Sequence, residues 1–272
     1  MRVALEERYG AQLRWRTVQV GLRESGAAMA SRGFTTERLR EAYRDFQRLG
    51  MPFCTARRPG LHGSWAAGRL IKAAEMQSYA AGAALLRRLR LAWFLEVRPT
   101  DQPEVLLALA AELDGVDVGR LRGDFAREAS VRALRLDMAL ARRPDPVALA
   151  LGKTARPTGE PGPRFSTPTY VLLAGGRTAT VPGFQPLEAY EVALHNLAPG
   201  FERRPAPDSV AFLERRAGQP HAAVEVAAAT GRTPEEAIAA LDELGQRGRV
   251  LRLDMGGEGA LWCAGAPTIE LR

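Results

Sequence analysis

Phe165-Ser166-Thr167-Pro168-Thr169-Tyr170-Val171-Leu172-Leu173 is the stretch from which the fold of this chain is read. Proline has no backbone donor and is confined to strand starts and edges, so Pro168 marks the beginning of a strand over Thr169–Leu173. Only X-Pro bonds adopt the cis form readily, and Thr167-Pro168 is a candidate for one. Gly175-Gly176 follows as a two-residue hairpin signal. A second strand runs from Arg177 to Val181, and Pro182-Gly183 breaks it. Pro186 opens a helix at its first position. Leu187, Tyr190, Leu194 and Leu197 then fall on one helical face. By themselves these residues also fit an ordinary β-hairpin packed under a helix.

With 272 residues the chain can bury a core in one large domain or two. Its 46% hydrophobic and 25% charged residues are those of an ordinary globular protein. The net charge of +7 is almost entirely arginine, with Lys72 and Lys153 the only lysines. That bias reads as base composition of the coding sequence and gives little support to a nucleic-acid or membrane partner. Cys54 and Cys263 form no CxxC, and His62, His195 and His221 share no metal-ligand spacing. No metal site and no cofactor is therefore expected. No apolar run approaches the roughly 20 residues that span a bilayer. The first ten residues carry two acids and no apolar segment, unlike a signal peptide, so a cytoplasmic protein is the expectation.

From the N-terminus, a short helix stops at Gly10, and Leu13–Val20 reads as a strand because strand formers partly alternate there. From Thr36 to about Arg143 the pattern is helical almost throughout. Leu39, Tyr43, Phe46 and Leu49 form one stripe. Leu85, Leu86, Leu89, Trp93 and Phe94 form another, with Arg87, Arg88 and Arg90 on the opposite side. Pro103 suits a first helical position and Asp117 an N-cap. These stripes are core packing and require no cofactor. Gly152–Arg164, rich in Pro and Gly, reads as an irregular loop, and Pro199–Pro207 as a linker. Residues 208–272 follow with a helix, a second helix ended by Gly231, and a third capped by Thr233-Pro234-Glu235-Glu236. A hairpin through Gly256-Gly257 comes last. Helix, helix-turn-helix and hairpin is the winged-helix order.

The order Thr-Pro, strand, Gly-Gly, strand, helix resembles the C-terminal half of the thioredoxin fold. Arg69–Gln77, Leu86–Phe94, Pro103–Leu106 and Leu109–Ala111 resemble the helical insertion of DsbA-like proteins, the cytosolic branch often called FrnE-like. The resemblance implies an α/β fold with a DsbA-like thioredoxin domain over residues 1–200. The helical insertion covers about 36–143, and a separate winged-helix-like domain covers 208–272. It also implies that Thr167 and Pro168 form a loop that binds a thiol or extended polypeptide substrate.

In that family a strand and then Cys-x-x-Cys precede the first helix, where the helix dipole stabilises a thiolate. Neither is present here, so no catalytic residue can be named, and Cys54 and Cys263 read as small apolar residues. The family order places the missing strand and turn ahead of Met1, and a natural start further upstream is expected on that ground. The chain as it stands is expected to show no disulfide oxidoreductase turnover. Three functions stay open: a disulfide oxidoreductase or a piece of one, a redox-inactive binding module, and a winged-helix nucleic-acid regulator. Glu235, Glu236, Asp242 and Glu243 on the would-be recognition helix argue against the last.

Overall fold

The computed structural model describes residues 1–156, 162–255 and 259–268. In chain order these form α1 (Arg2–Tyr9), α2 (Gly26–Ala30), α3 (Thr36–Gln47), α4 (Trp65–Glu75), α5 (Tyr79–Phe94), α6 (Pro103–Ala111), α7 (Val118–Ala126), α8 (Glu128–Ala141) and α9 (Pro146–Ala150). Then come β1 (Thr154–Ala155), β2 (Arg164–Phe165), β3 (Thr169–Ala174), β4 (Arg177–Pro182) and α10 (Leu187–Leu197). The C-terminal part holds α11 (Ser209–Glu214), β5 (His221–Ala222), α12 (Ala223–Thr230), α13 (Pro234–Gln246), β6 (Leu251–Asp254) and β7 (Ala260–Cys263). Two compact units emerge: Met1–Val20 with Leu136–Ala206, and Gly21–Arg135 with Pro207–Arg272. No helix among the described residues is long and apolar enough to cross a membrane.

In the first unit β3 and β4 pair antiparallel from Thr169↔Pro182 to Ala174↔Arg177. Gly175 and Gly176 both take positive φ, the conformation that a two-residue turn matched to strand twist demands. Alternation in β3 sends Tyr170 and Leu172 into a core with Leu5, Tyr9, Val181, Tyr190 and Leu194. The other face carries Val171 and Leu173, which are 46% and 76% exposed. Tyr170 meets Tyr190 edge-on at 4.9 Å and Trp15 at 6.1 Å. Pro186 is the N-cap of α10 and not its first helical residue, because its ψ of 157° is still extended.

Leu13–Val20 is not a strand. It alternates half-buried and exposed residues from Leu13 to Val18, as a strand would, but no ladder forms among the described residues. Its backbone finds partners elsewhere: Gln19 N–H donates to the buried Asp137 carboxylate at 2.9 Å, and Arg142 Nη1 donates to the Val20 carbonyl at 3.0 Å. The loop expected over 152–164 also differs, since Thr154↔Phe165 and Ala155↔Arg164 pair as a short ladder. Residues 157–161 of it lie outside the described residues.

The second unit packs α4, α5, α6 and α7 around Leu70, Ala74, Leu85, Leu89, Leu106, Leu109 and Leu121. The helical pattern is interrupted between α3 and α4, where residues 48–64 form no helix. Phe46 and Leu49 of the first stripe are about half exposed, and Tyr43 alone is fully buried there. A second cluster joins Leu91 and Leu95 of α5 to Ala222 and Leu261. Residues 209–263 order as helix, strand, helix, helix, strand, strand, in a three-stranded sheet β5-β7-β6. The expected turn at Gly256-Gly257 falls outside the described residues. Thr233 Oγ1 accepts from Glu236 N–H and Glu236 returns a bond to Thr233 N–H, the reciprocal cap foreseen at α13.

Arg88 does not lie on a solvent face. It is 1% exposed, and its guanidinium is held by Glu96 at 2.5 and 2.9 Å and by Glu112 at 2.6 Å. Burial alone would disfavour the cation, but the two carboxylates more than offset this and raise its proton affinity. Glu96 is as dry as Arg88, so removing either partner leaves a stranded charge. Arg88→Met is expected to cost about 3–5 kcal/mol, read as a large drop in the urea midpoint. An unchanged midpoint would contradict the ion trio as a structural element.

Candidate functional site

Two places concentrate polar chemistry, the Thr167–Pro168 loop and the buried charges of the second unit. The loop is built by the short β1–β2 ladder, which delivers Phe165 to its start, and by β3, which carries it away. Ser166 N–H donates to the Lys153 carbonyl at 3.1 Å, and Ser166 Oγ donates to the same oxygen at 2.8 Å. Thr169 Oγ1 turns back onto the Ser166 carbonyl at 2.7 Å. The loop is thus tied on both flanks while Thr167 and Pro168 stand exposed. The peptide bond between them is cis.

The strand that follows has one ladder partner, β4, among the described residues. Its other edge carries backbone donors and acceptors with no strand beside them, the condition under which an extended chain can be added. Behind the hairpin, Asp145 caps α9 by accepting from Ala148 N–H at 2.9 Å and also receives the Thr180 hydroxyl of β4. Apolar burial behind Tyr170 and Leu172 makes the loop and strand a firm platform. The arrangement offers shape and backbone hydrogen bonds, and neither cysteine of the chain belongs to this unit.

Cys54 and Cys263 are both free thiols, and both belong to the second unit. Cys263 is fully buried, and burial pushes its thiol up, away from reactivity. No cluster of three or more His, Cys, Asp or Glu able to hold a metal occurs among the described residues.

The second unit holds a charge cluster that the sequence reading did not single out. Arg87 grips Glu225 at 2.9 and 3.1 Å, donates to the Pro220 carbonyl, and lies 3.2 Å from His221 Nδ1. Ala222 N–H also donates to Glu225, at 3.1 Å. Burial pushes the Glu225 carboxyl up, but Arg87 and His221 outweigh it and hold it well below the ordinary carboxylate range. Burial drives His221 down, Arg87 adds to that, and Glu225 opposes it. Shifted protonation marks functional sites and structural ion pairs alike. Here the Glu225 carboxylate ends on Arg87, on Ala222 N–H and beside His221 within the cluster, as a structural ion pair requires. The single legible signal was Glu225 three positions into α12, where a carboxylate caps the helix start.

Comparison with protein-family models matches residues 5–145, more than half of the chain, to a family described as thioredoxin. No curated protein matches the chain.

Both His221 and Glu225 take up protons less readily in the fold than in the unfolded chain. Their stabilisation is therefore present above the unfolded values and lost as pH falls. The His221 part begins to fade below about pH 6.5, and the Glu225 part below its ordinary 4.5. Urea midpoints measured down this range should fall, and His221→Phe should flatten the upper part of the fall. An identical slope in the variant would contradict the assignment.

Proposed function

The chain belongs to the thioredoxin family, and on that premise we propose that it is a DsbA-like member which binds an extended polypeptide along the Thr167–Pro168 loop and the outer edge of β3. The observation that carries this reading is the one-sided ladder of β3 directly after an exposed, anchored loop. An incoming strand would take main-chain hydrogen bonds from β3, with Val171 and Leu173 offering apolar contacts on the exposed face. Binding of this kind needs no thiol. Disulfide exchange would need a vicinal pair such as Cys-x-x-Cys, and the 272 residues contain only Cys54 and Cys263. The helices over about residues 36–143 are those of the helical insertion that this reading assigns, and a cytoplasmic setting is part of the reading.

The order of elements over 209–263 supports a winged-helix-like segment. We assign it a protein-contact role and not a nucleic-acid one, because α13 presents Glu235, Glu236, Asp242 and Glu243 and four carboxylates oppose approach to phosphates. A salt-dependent shift of random duplex DNA would overturn that assignment.

The polypeptide reading is tested with a reduced, carboxymethylated protein as an extended ligand. Saturable binding is expected by calorimetry. Thr167→Arg, which places a bulky charge on the loop without touching the core, should weaken it roughly tenfold or more, the scale of a lost contact worth about 1.4 kcal/mol. Insulin reduction should not be accelerated by the same preparation. Equal binding by wild type and Thr167→Arg would remove the loop from the site, and turnover lost in Cys54→Ser would make the protein an oxidoreductase.

A further inference from the structure

Charge is spread unevenly along the platform formed by the loop and β3. Trp15 meets Tyr170 edge-on at 6.1 Å, so Leu13–Val20 runs past the start of β3. Leu13 and Trp15 pack on the same core as Tyr170 and Leu172. Successive side chains of an extended segment point to opposite sides. Arg14 and Arg16, both exposed, therefore turn to the side on which β3 presents Val171 and Leu173.

Lys153 flanks the loop itself, since its carbonyl takes both Ser166 bonds. Its side chain is exposed and passes over Gly183, where a Cβ would come within 3.2 Å of Lys153 Cδ. Gly183 follows Pro182, the partner of Thr169 in the ladder. Arg14 and Lys153 have no ion-pair partner among the described residues. Arg16 touches Asp137 at 3.4 Å with its side chain still 68% exposed. The acids of α8 and of the α9 cap are engaged already: Asp137 takes the Gln19 N–H, and Asp145 takes Ala148 N–H and the Thr180 hydroxyl. At the far end of the hairpin the Arg177 guanidinium is held by the Leu197 carbonyl. The loop end of β3 is thus bordered by cations, and Val171 and Leu173 beyond it are apolar.

We propose, resting on the polypeptide reading above, that the extended chain taken by β3 is an acidic one. It places carboxylates where it crosses Thr167–Tyr170 and apolar side chains along Val171–Leu173. A strand added at the outer edge of β3 sends every second side chain to the face of Arg14 and Arg16, with Lys153 beside its loop end. Carboxylates there meet cations, whereas lysines or arginines meet like charge. Complementarity of this kind selects among partners and weakens as salt rises.

The test uses the full chain and short fluorescein-labelled peptides of alternating valine and threonine, with a Glu, Gln or Lys pair at one end or the other. By fluorescence anisotropy at low salt, the better Glu peptide should bind roughly fivefold or more tightly than its Gln counterpart, the scale of one or two exposed ion pairs. The Lys peptides should bind most weakly. The margin should close at about 1 M salt, where the Debye length is about 3 Å. In the double variant Arg14→Glu, Lys153→Glu the order of the Glu and Lys peptides should reverse. Both side chains lie in solvent, so these substitutions leave the core intact. Equal binding of the Glu and Gln peptides by the wild type at low salt would overturn the acidic preference and leave the polypeptide reading standing. Binding of none of the peptides would overturn both. Displacement of the Glu peptide by an oligothymidylate of the same charge would show a general polyanion site and overturn the proposal.

Discussion

The first unit depends on where the backbone hydrogen bonds of a very small sheet go. A buried N–H or C=O without a partner costs roughly 1–3 kcal/mol, and a domain's whole stability is only about 5–15 kcal/mol. The β3–β4 hairpin satisfies one edge of each strand. Leu13–Val20, extended beside the same core, has no ladder among the described residues, and side chains of α8 and of the residue after it stand in for a strand: Asp137 takes the Gln19 N–H and Arg142 reaches the Val20 carbonyl. Those substitutes serve the end of the segment. The outer edge of β3 has no strand beside it among the described residues, and from this the binding reading follows.

In the second unit the constraint is charge. Arg88, Arg87 and Arg58 are all drawn in against α5, and each meets it differently. Arg88 is neutralised by Glu96 and Glu112. Arg87 is neutralised by Glu225, whose carboxylate also serves a helix start. Arg58 has aromatic faces and one carbonyl but, among the described residues, no ion pair. Arg87 and Arg88 lie on α5 itself, whereas Arg58 reaches its end from the segment between α3 and α4.

Local chemistry was legible where it acts within a few residues. Gly175-Gly176 could be read because few other residues accept the positive φ of that turn, and the Thr233–Glu236 cap because both halves lie in one helical turn. Leu13–Val20 was misread because alternation reports an extended chain half-buried on one side, and pairing requires a neighbour that alternation does not reveal. The β1–β2 ladder and β5 are two residues each, too short for any period. The arginines of α5 were placed opposite the apolar stripe without partners, because side-chain pairing across elements leaves no period in the sequence; Glu225 lies 138 residues from Arg87. The cis bond at Thr167-Pro168 was legible from proline chemistry, whereas the buried setting of Arg58 shows only once its neighbours are in place.

Hydrogen exchange on the backbone tests the central claim most directly. Amides of Thr169–Ala174 whose N–H groups face away from β4 should exchange quickly in the free protein and become protected when a carboxymethylated polypeptide is added, while α10 stays unchanged. Fast exchange at those amides with and without the polypeptide, under conditions where it is bound, would show that the open edge of β3 is not where an extended chain docks.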